Sequence, residues 1–156
     1  MKNKKIVLLA VFCAFSLPFM TAIASADSPS QAKVIDILGE AKFLKAGTSN
    51  WEMLDKGMML SEGDSLRTVK GSQVKLELSG NAKTAEVTVR EESEFSLKTL
   101  KHDPASKVDN TLLDVSVGSI LVKAEKLIGD SKFEVKTPTS IVGIRGTVFE
   151  VQVSKA

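Results

Sequence analysis

The chain has 156 residues, with 21 Lys and Arg against 19 Asp and Glu, one histidine and one cysteine. So even a balance excludes the net positive footprint that nucleic-acid binding requires. A single cysteine excludes an internal disulfide framework.

Met1 to Ala26 joins Lys2, Lys4 and Lys5 to an apolar run from Ile6 to Phe15, and ends in Ala24-Ser25-Ala26. This is the pattern of a secretory signal peptide, with cleavage expected after Ala26. Ser16, Pro18 and Thr21 interrupt the apolar run and leave it short of the ~20 residues of a membrane span. No stable span is therefore expected once the signal is removed. Cys13 follows bulky Phe12, where a lipid-attachment site wants a small residue. Removal of the three lysines leaves 18 basic against 19 acidic residues, a net charge of −1. The exported chain, periplasmic or secreted, has no cysteine and must be held by its core alone.

Residues 27–31 read as a mobile polar leader containing Pro29, and residues 32–156 as one domain of a size that can bury its own core. Apolar and polar residues alternate with period two in Ala32–Leu38, Val74–Leu78 and Glu86–Arg90, as half-buried strands require. Further strands are expected at Glu40–Lys45, Trp51–Leu54, Phe95–Leu100, Leu112–Val117, Ile120–Ala124, Phe133–Lys136 and Phe149–Val153. Gly39, Gly57, Gly63, Gly80, Gly118 and Gly129 sit in short polar turns between them. Lys101–Asn110 is the longest polar connection and reads as a loop, and Lys123–Leu127 has the composition of one helical turn. The pattern predicts an all-β fold, a single compact domain of many short strands, arranged as an irregular solenoid or in a sandwich-like way.

No catalytic constellation emerges. Serines are plentiful, but His102 is the one imidazole and no nucleophile elbow is present. His102 lacks the companions of a metal site, and Glu91-Glu92-Ser93-Glu94 lacks the spacing of a calcium loop. No enzyme activity, cofactor or metal is expected. Asp64 is either a ligand carboxylate or a turn residue capping nearby amides, and the second reading is preferred. Trp51 is a sugar-stacking platform, a core anchor or a partner-facing residue.

Several stretches, in this order, resemble the FecR domain family: Gly63-Asp64 with Thr68, Val74 to Asn81, Val117-Gly118-Ser119, Phe133 to Thr139 with Thr137-Pro138, and Gly143-Ile144-Arg145-Gly146-Thr147 followed by Phe149. The resemblance covers roughly Val34 to Val153. It implies an extracytoplasmic all-β domain, best known from regulators that relay occupancy of an iron transporter to a cytoplasmic sigma factor. Those regulators carry a sigma-binding region and a membrane helix where this sequence reads as an export signal, and a receptor-docking domain that is not expected here. What the resemblance implies here is thus the fold, a place outside the cytoplasm and a binding role. An envelope protein is the expected partner. A glycan or peptidoglycan, and a structural place in an envelope complex, are the alternatives. Arg145 lies in an apolar run and is costly to bury unpaired. It either presents its guanidinium to a carboxylate or phosphate or pairs within the fold. The second is preferred beside Gly146 and Thr147, with a bend or bulge near Gly143–Gly146.

Overall fold

The structure is a computed structural model and describes residues 28–79 and 83–154. The export signal, its cleavage point and the centre of the turn at Gly80 lie outside the described residues.

In chain order the strands are β1 (Ser28–Pro29), β2 (Gln31–Leu38), β3 (Ala41–Leu44), β4 (Trp51–Met53), β5 (Met59–Leu60), β6 (Ser65–Thr68), β7 (Gln73–Ser79), β8 (Lys83–Val89), β9 (Glu94–Asp103), β10 (Val108–Ala124), β11 (Lys132–Lys136), β12 (Ile141–Ile144) and β13 (Val148–Val153). No helix occurs among the described residues, and the expected all-β class of many short strands is what the structure has. The alternation works as elementary strand geometry demands: Val74, Leu76 and Leu78 of β7 are buried, while Gln73, Lys75 and Glu77 between them are not.

All strands belong to one sheet, ordered β4-β3-β6-β9-β10-β8-β7-β2-β5. It curls because β10 turns a corner. Over Val108–Val117 that strand pairs with β9 and, in parallel, β11. From Gly118 onward it pairs with β8 and β13. A straight strand of its length would span on the order of 55 Å, well beyond what a domain of this size can cover, so the bend is obligatory. It is prepared by a register shift between Val115 and Val117, a bulge of the kind that bends a strand and increases its twist. The β2–β3, β6–β7 and β8–β9 connections turn at the same end. Among the described residues a single core of 23 buried apolar side chains fills the curl, with Phe95 and Phe133 the largest. Each buried Val, Leu, Ile or Phe side chain contributes roughly 1.5–3 kcal/mol of transfer free energy.

The four corners are tied together by buried hydroxyls. Ser72 Oγ accepts the Glu40 amide at 2.9 Å, and Ser93 Oγ accepts the Ser119 amide at 2.9 Å. Thr68 Oγ1 donates to the Arg90 carbonyl and accepts the Ser93 amide at 3.1 Å. These backbone groups have left the sheet ladder, and a buried amide or carbonyl without a partner costs about 1–3 kcal/mol. The serine and threonine side chains supply those partners.

Several expectations are corrected. Ser28 and Pro29 of the polar leader are not loose: they pair with Lys101 and His102 at the edge of β9, beyond the end of β6, where the missing proline amide does no harm. The expected loop at Lys101–Asn110 is a tight hairpin of β9 and β10. Its polar residues bond to one another: His102 Nδ1 lies 2.8 Å from Asp109 Oδ1, and Asp103 accepts the Ala105 amide at 2.8 Å and the Ser106 hydroxyl. The two strands expected on either side of Gly118 are one continuous strand, and Lys123–Leu127 is extended and then irregular rather than helical.

The hairpin carries a pH prediction. The Ser106 hydroxyl, then the Ala105 and Ser106 amides, hold the Asp103 carboxyl below the usual carboxylate range. Because the folded value is depressed, this contribution to the hairpin is present above the ordinary carboxylate range and is lost as pH falls through the lowered value. Ser106→Ala is expected to move the Asp103 titration upward in an NMR pH series. An unmoved titration would refute the assignment.

Candidate contact site on the open side of the sheet

The last two strands leave the curl open. Among the described residues, strand β12 pairs only with β11, and β13 only with β10. Both edges therefore lie on one side of the molecule, while β4 and β5 form the opposite margins. The run Thr137–Val153 supplies the turn, both open edges and the link between them.

The turn at Thr137–Ser140 is closed by the Thr137 amide, which donates to the Ser140 carbonyl at 2.8 Å. The Thr137 hydroxyl accepts the Ser140 amide at 3.1 Å, and Pro138 and Thr139 form the tip. Gly143 lies in β12 opposite Glu134, and nothing stands within 4 Å of where its Cβ would be. Gly146, in the link to β13, is packed so closely that a Cβ would come 2.7 Å from the Lys126 Cα. Beside it the Thr147 carbonyl accepts the Ala124 amide at 3.0 Å. Phe149 packs, half-buried, against the core. The bend expected near Gly143–Gly146 is this link. Arg145 projects from it, exposed, with no ion pair or hydrogen bond to the described residues.

Three open grooves flank these edges. Val117, Gln152 and Val153 are common to two of them. One, of about 390 Å³, adds Arg90, Gly118 and Glu150; the other, of about 500 Å³, adds Ser116, Thr137 and Pro138. The first is polar and structured: Glu150 accepts the Ser119 hydroxyl at 2.8 Å and pairs with Arg90 Nε at 3.1 Å. The third groove, of about 390 Å³, runs beside Lys132, Glu134, Gly143 and Arg145. The same side exposes large apolar side chains: Ile141 is 64% exposed, Val148 61% and Val142 41%.

The structure divides the remaining candidates. Gly118 and Thr68 lie at the corners, close to the first groove. Gly63 and Asp64 stand at the other end of β6, away from the open side. Asp64 is buried, accepting the Ala46 amide at 2.8 Å and the Ser61 amide at 2.9 Å, with Lys45 Nζ 3.6 Å away. Trp51 is half-buried on β4, and the Arg67 guanidinium lies over its ring at 4.1 Å, so one ring face is already occupied by a cation–π contact. No group of metal-binding side chains occurs among the described residues. Nearest to triad chemistry is His102 with Asp109, but the buried Ser131 hydroxyl accepts the Asp109 amide at 3.0 Å and has no bond to the imidazole.

Sequence reasoning missed Ile141, Val142 and Val148 as surface residues. A short apolar run such as Ile141-Val142-Gly143-Ile144 has the signature of a strand buried on both faces, and nothing local distinguishes that from an uncovered edge.

Fold and surface together define an all-β module in which one curled sheet presents two uncovered edges on one side. The model of the family described as FecR protein matches residues 64–156. The chain belongs to that family, whose domains serve signalling and protein interaction in the cell envelope, are typically periplasmic and are generally not enzymes. The match begins at Asp64, later than the Val34 expected, yet β2 and β3 are hydrogen-bonded to β7 and β6 of the matched part. No curated protein and no solved structure matches the chain.

Proposed function

We propose that this chain is a non-catalytic binding or adaptor module that works outside the cytoplasm, after export on its N-terminal signal, and contacts an envelope protein through the open side of its sheet. The observation that carries this reading is the clustering there of two free edges, three grooves and the exposed Ile141, Val142 and Val148. Uncovered apolar surface beside free backbone groups is a standing invitation to another protein. A glycan site built on Trp51 fits less well, since Arg67 already covers one face of the ring.

Photo-crosslinking in intact cells tests the reading. A probe at Gln152 is expected to capture a defined protein that a probe at Glu52, on the opposite margin, does not. Equal capture from both positions, or capture from neither, would refute it.

Arg145 belongs to the contact rather than the fold in this reading. Arg145→Leu should leave the unfolding free energy within about 0.5 kcal/mol of the parent, as for an exposed residue without partners among the described residues, and should weaken capture at Gln152. A clear loss of stability would return the residue to a structural role.

A further inference from the structure

Strand β12 is the least protected edge among the described residues. Natural edges are blunted by charges, proline or brevity: β5 has two residues, β4 carries Glu52 and β13 carries Glu150. Ile141-Val142-Gly143-Ile144 has none of these devices.

The edge has a definite hydrogen-bonding register. At the turn the Thr137 amide donates to the Ser140 carbonyl, which makes this a position of the bonded kind, and bonded and non-bonded pairs alternate along an antiparallel ladder. With Lys136 opposite Ile141 and Glu134 opposite Gly143, those two β12 residues occupy non-bonded positions toward β11. Their amides and carbonyls therefore point away from the sheet. Their side-chain positions share the outer face, where Ile141 is 64% exposed and Gly143 leaves an open gap. Between them, on the core-facing side, Val142 is 41% exposed.

We propose that β12 pairs antiparallel with β12 of a second copy of this chain, about a two-fold axis at Val142. This deepens the proposed function by assigning one stretch of the same side to a copy of the chain and leaving the β13 grooves to the envelope partner. In this register Ile141 of each copy forms a bonded pair with Gly143 of the other, using all the outward backbone groups of both residues. Each Ile141 side chain lies beside the gap at Gly143 on the same face. The two Val142 side chains meet at the axis in a non-bonded pair, the closer of the two kinds of approach. Arg145 falls opposite Thr139, so no like charges oppose. A register centred on Gly143 would leave the gap empty, and one centred on Ile141 would face Gly143 with Thr139. The contact is small beside the ~1,200 Å² of standard interfaces, which makes the pair a reversible one.

Cysteine trapping reads the register directly. In cells making the full chain with Cys13→Ser, mild oxidation of Val142→Cys is expected to give a disulfide-linked homodimer. The paired Cα atoms would lie about 4.5 Å apart, within the ~4.4–6.8 Å range of disulfides. Ile141→Cys and Gly143→Cys, each alone, place like residues on the order of 8 Å apart and should link at least tenfold less. The two together should link well. Adding Val142→Lys to that doubly substituted chain should abolish its dimer, with the melting curve of the purified protein showing that the fold persists. Equal linking at all three positions, or none at Val142, would overturn the proposal. So would a Val142 thiol that links only to a different protein, an outcome that leaves the proposed function standing. A register-specific homodimer alongside no capture from Gln152 would do the reverse.

Discussion

Gly118→Ala is expected to be among the most damaging single substitutions in the chain, lowering stability by about 2–5 kcal/mol, from a left-handed backbone penalty of roughly 1–2 and overpacking of roughly 1–3. Gly118 has φ +94° at the corner of β10, and an added Cβ would overlap both Oγ and Cα of Ser93. The side-chain atom can rotate away, but the Cα cannot. Rotation would also break the bond from the Ser119 amide to Ser93 Oγ, uncoupling the two corners. The comparison that isolates the close approach is Gly71→Ala. Its φ is +73° with nothing within 4 Å of the new methyl, so it should lose only the backbone part. Urea denaturation of both variants checks the claim. With total stabilities of about 5–15 kcal/mol in domains of this kind, the Gly118 variant should show a marked fall in midpoint and the Gly71 variant a modest one. Equal losses would mean that the corner is not tightly packed.

That corner also shows where sequence reading stops. The alternation in Val74–Leu78 and Phe133–Lys136 made those strands legible, because one face of each meets a single core. Gly118 was legible as a turn but not as the bend of one strand, since positive φ serves either purpose. Ser72 and Ser93 carried no signal at all. Their hydroxyls matter only because Glu40 and Ser119, 32 and 26 residues away, arrive beside them. The hairpin at Asp103 reads as a loop in the sequence because its polar residues satisfy one another, while composition reports only that they are polar. The open side was the least legible. Residues Thr137–Val151 identify the family, but the facts that β12 has no second neighbour among the described residues and that Arg145 faces solvent follow from the order of strands in the sheet.

Asp64→Asn should be nearly as harmful as Asp64→Ala, each lowering stability by about 2–4 kcal/mol, since charge-assisted bonds contribute roughly 1.5–3 apiece and water regains access to part of the site. The reason is geometric. One carboxylate oxygen takes the Ala46 amide and the other the Ser61 amide, so Asp64 pins the β3–β4 and β5–β6 connections at one point. An asparagine offers one acceptor, and its NH₂ would face the remaining N–H, donor against donor. Lys45 contributes little, because its side chain is 56% exposed and a pair with so exposed a partner is screened by water; Lys45→Ala should change stability by less than about 0.5 kcal/mol. Chemical denaturation of the three variants separates the two roles open to this aspartate. If it is a ligand group, Asp64→Asn keeps the parent's midpoint and loses binding. If it is the fastener of two connections, stability falls first and any loss of binding follows the unfolded fraction. The burial of the carboxylate beneath two amides, at the end of β6 away from the open edges, requires the second result.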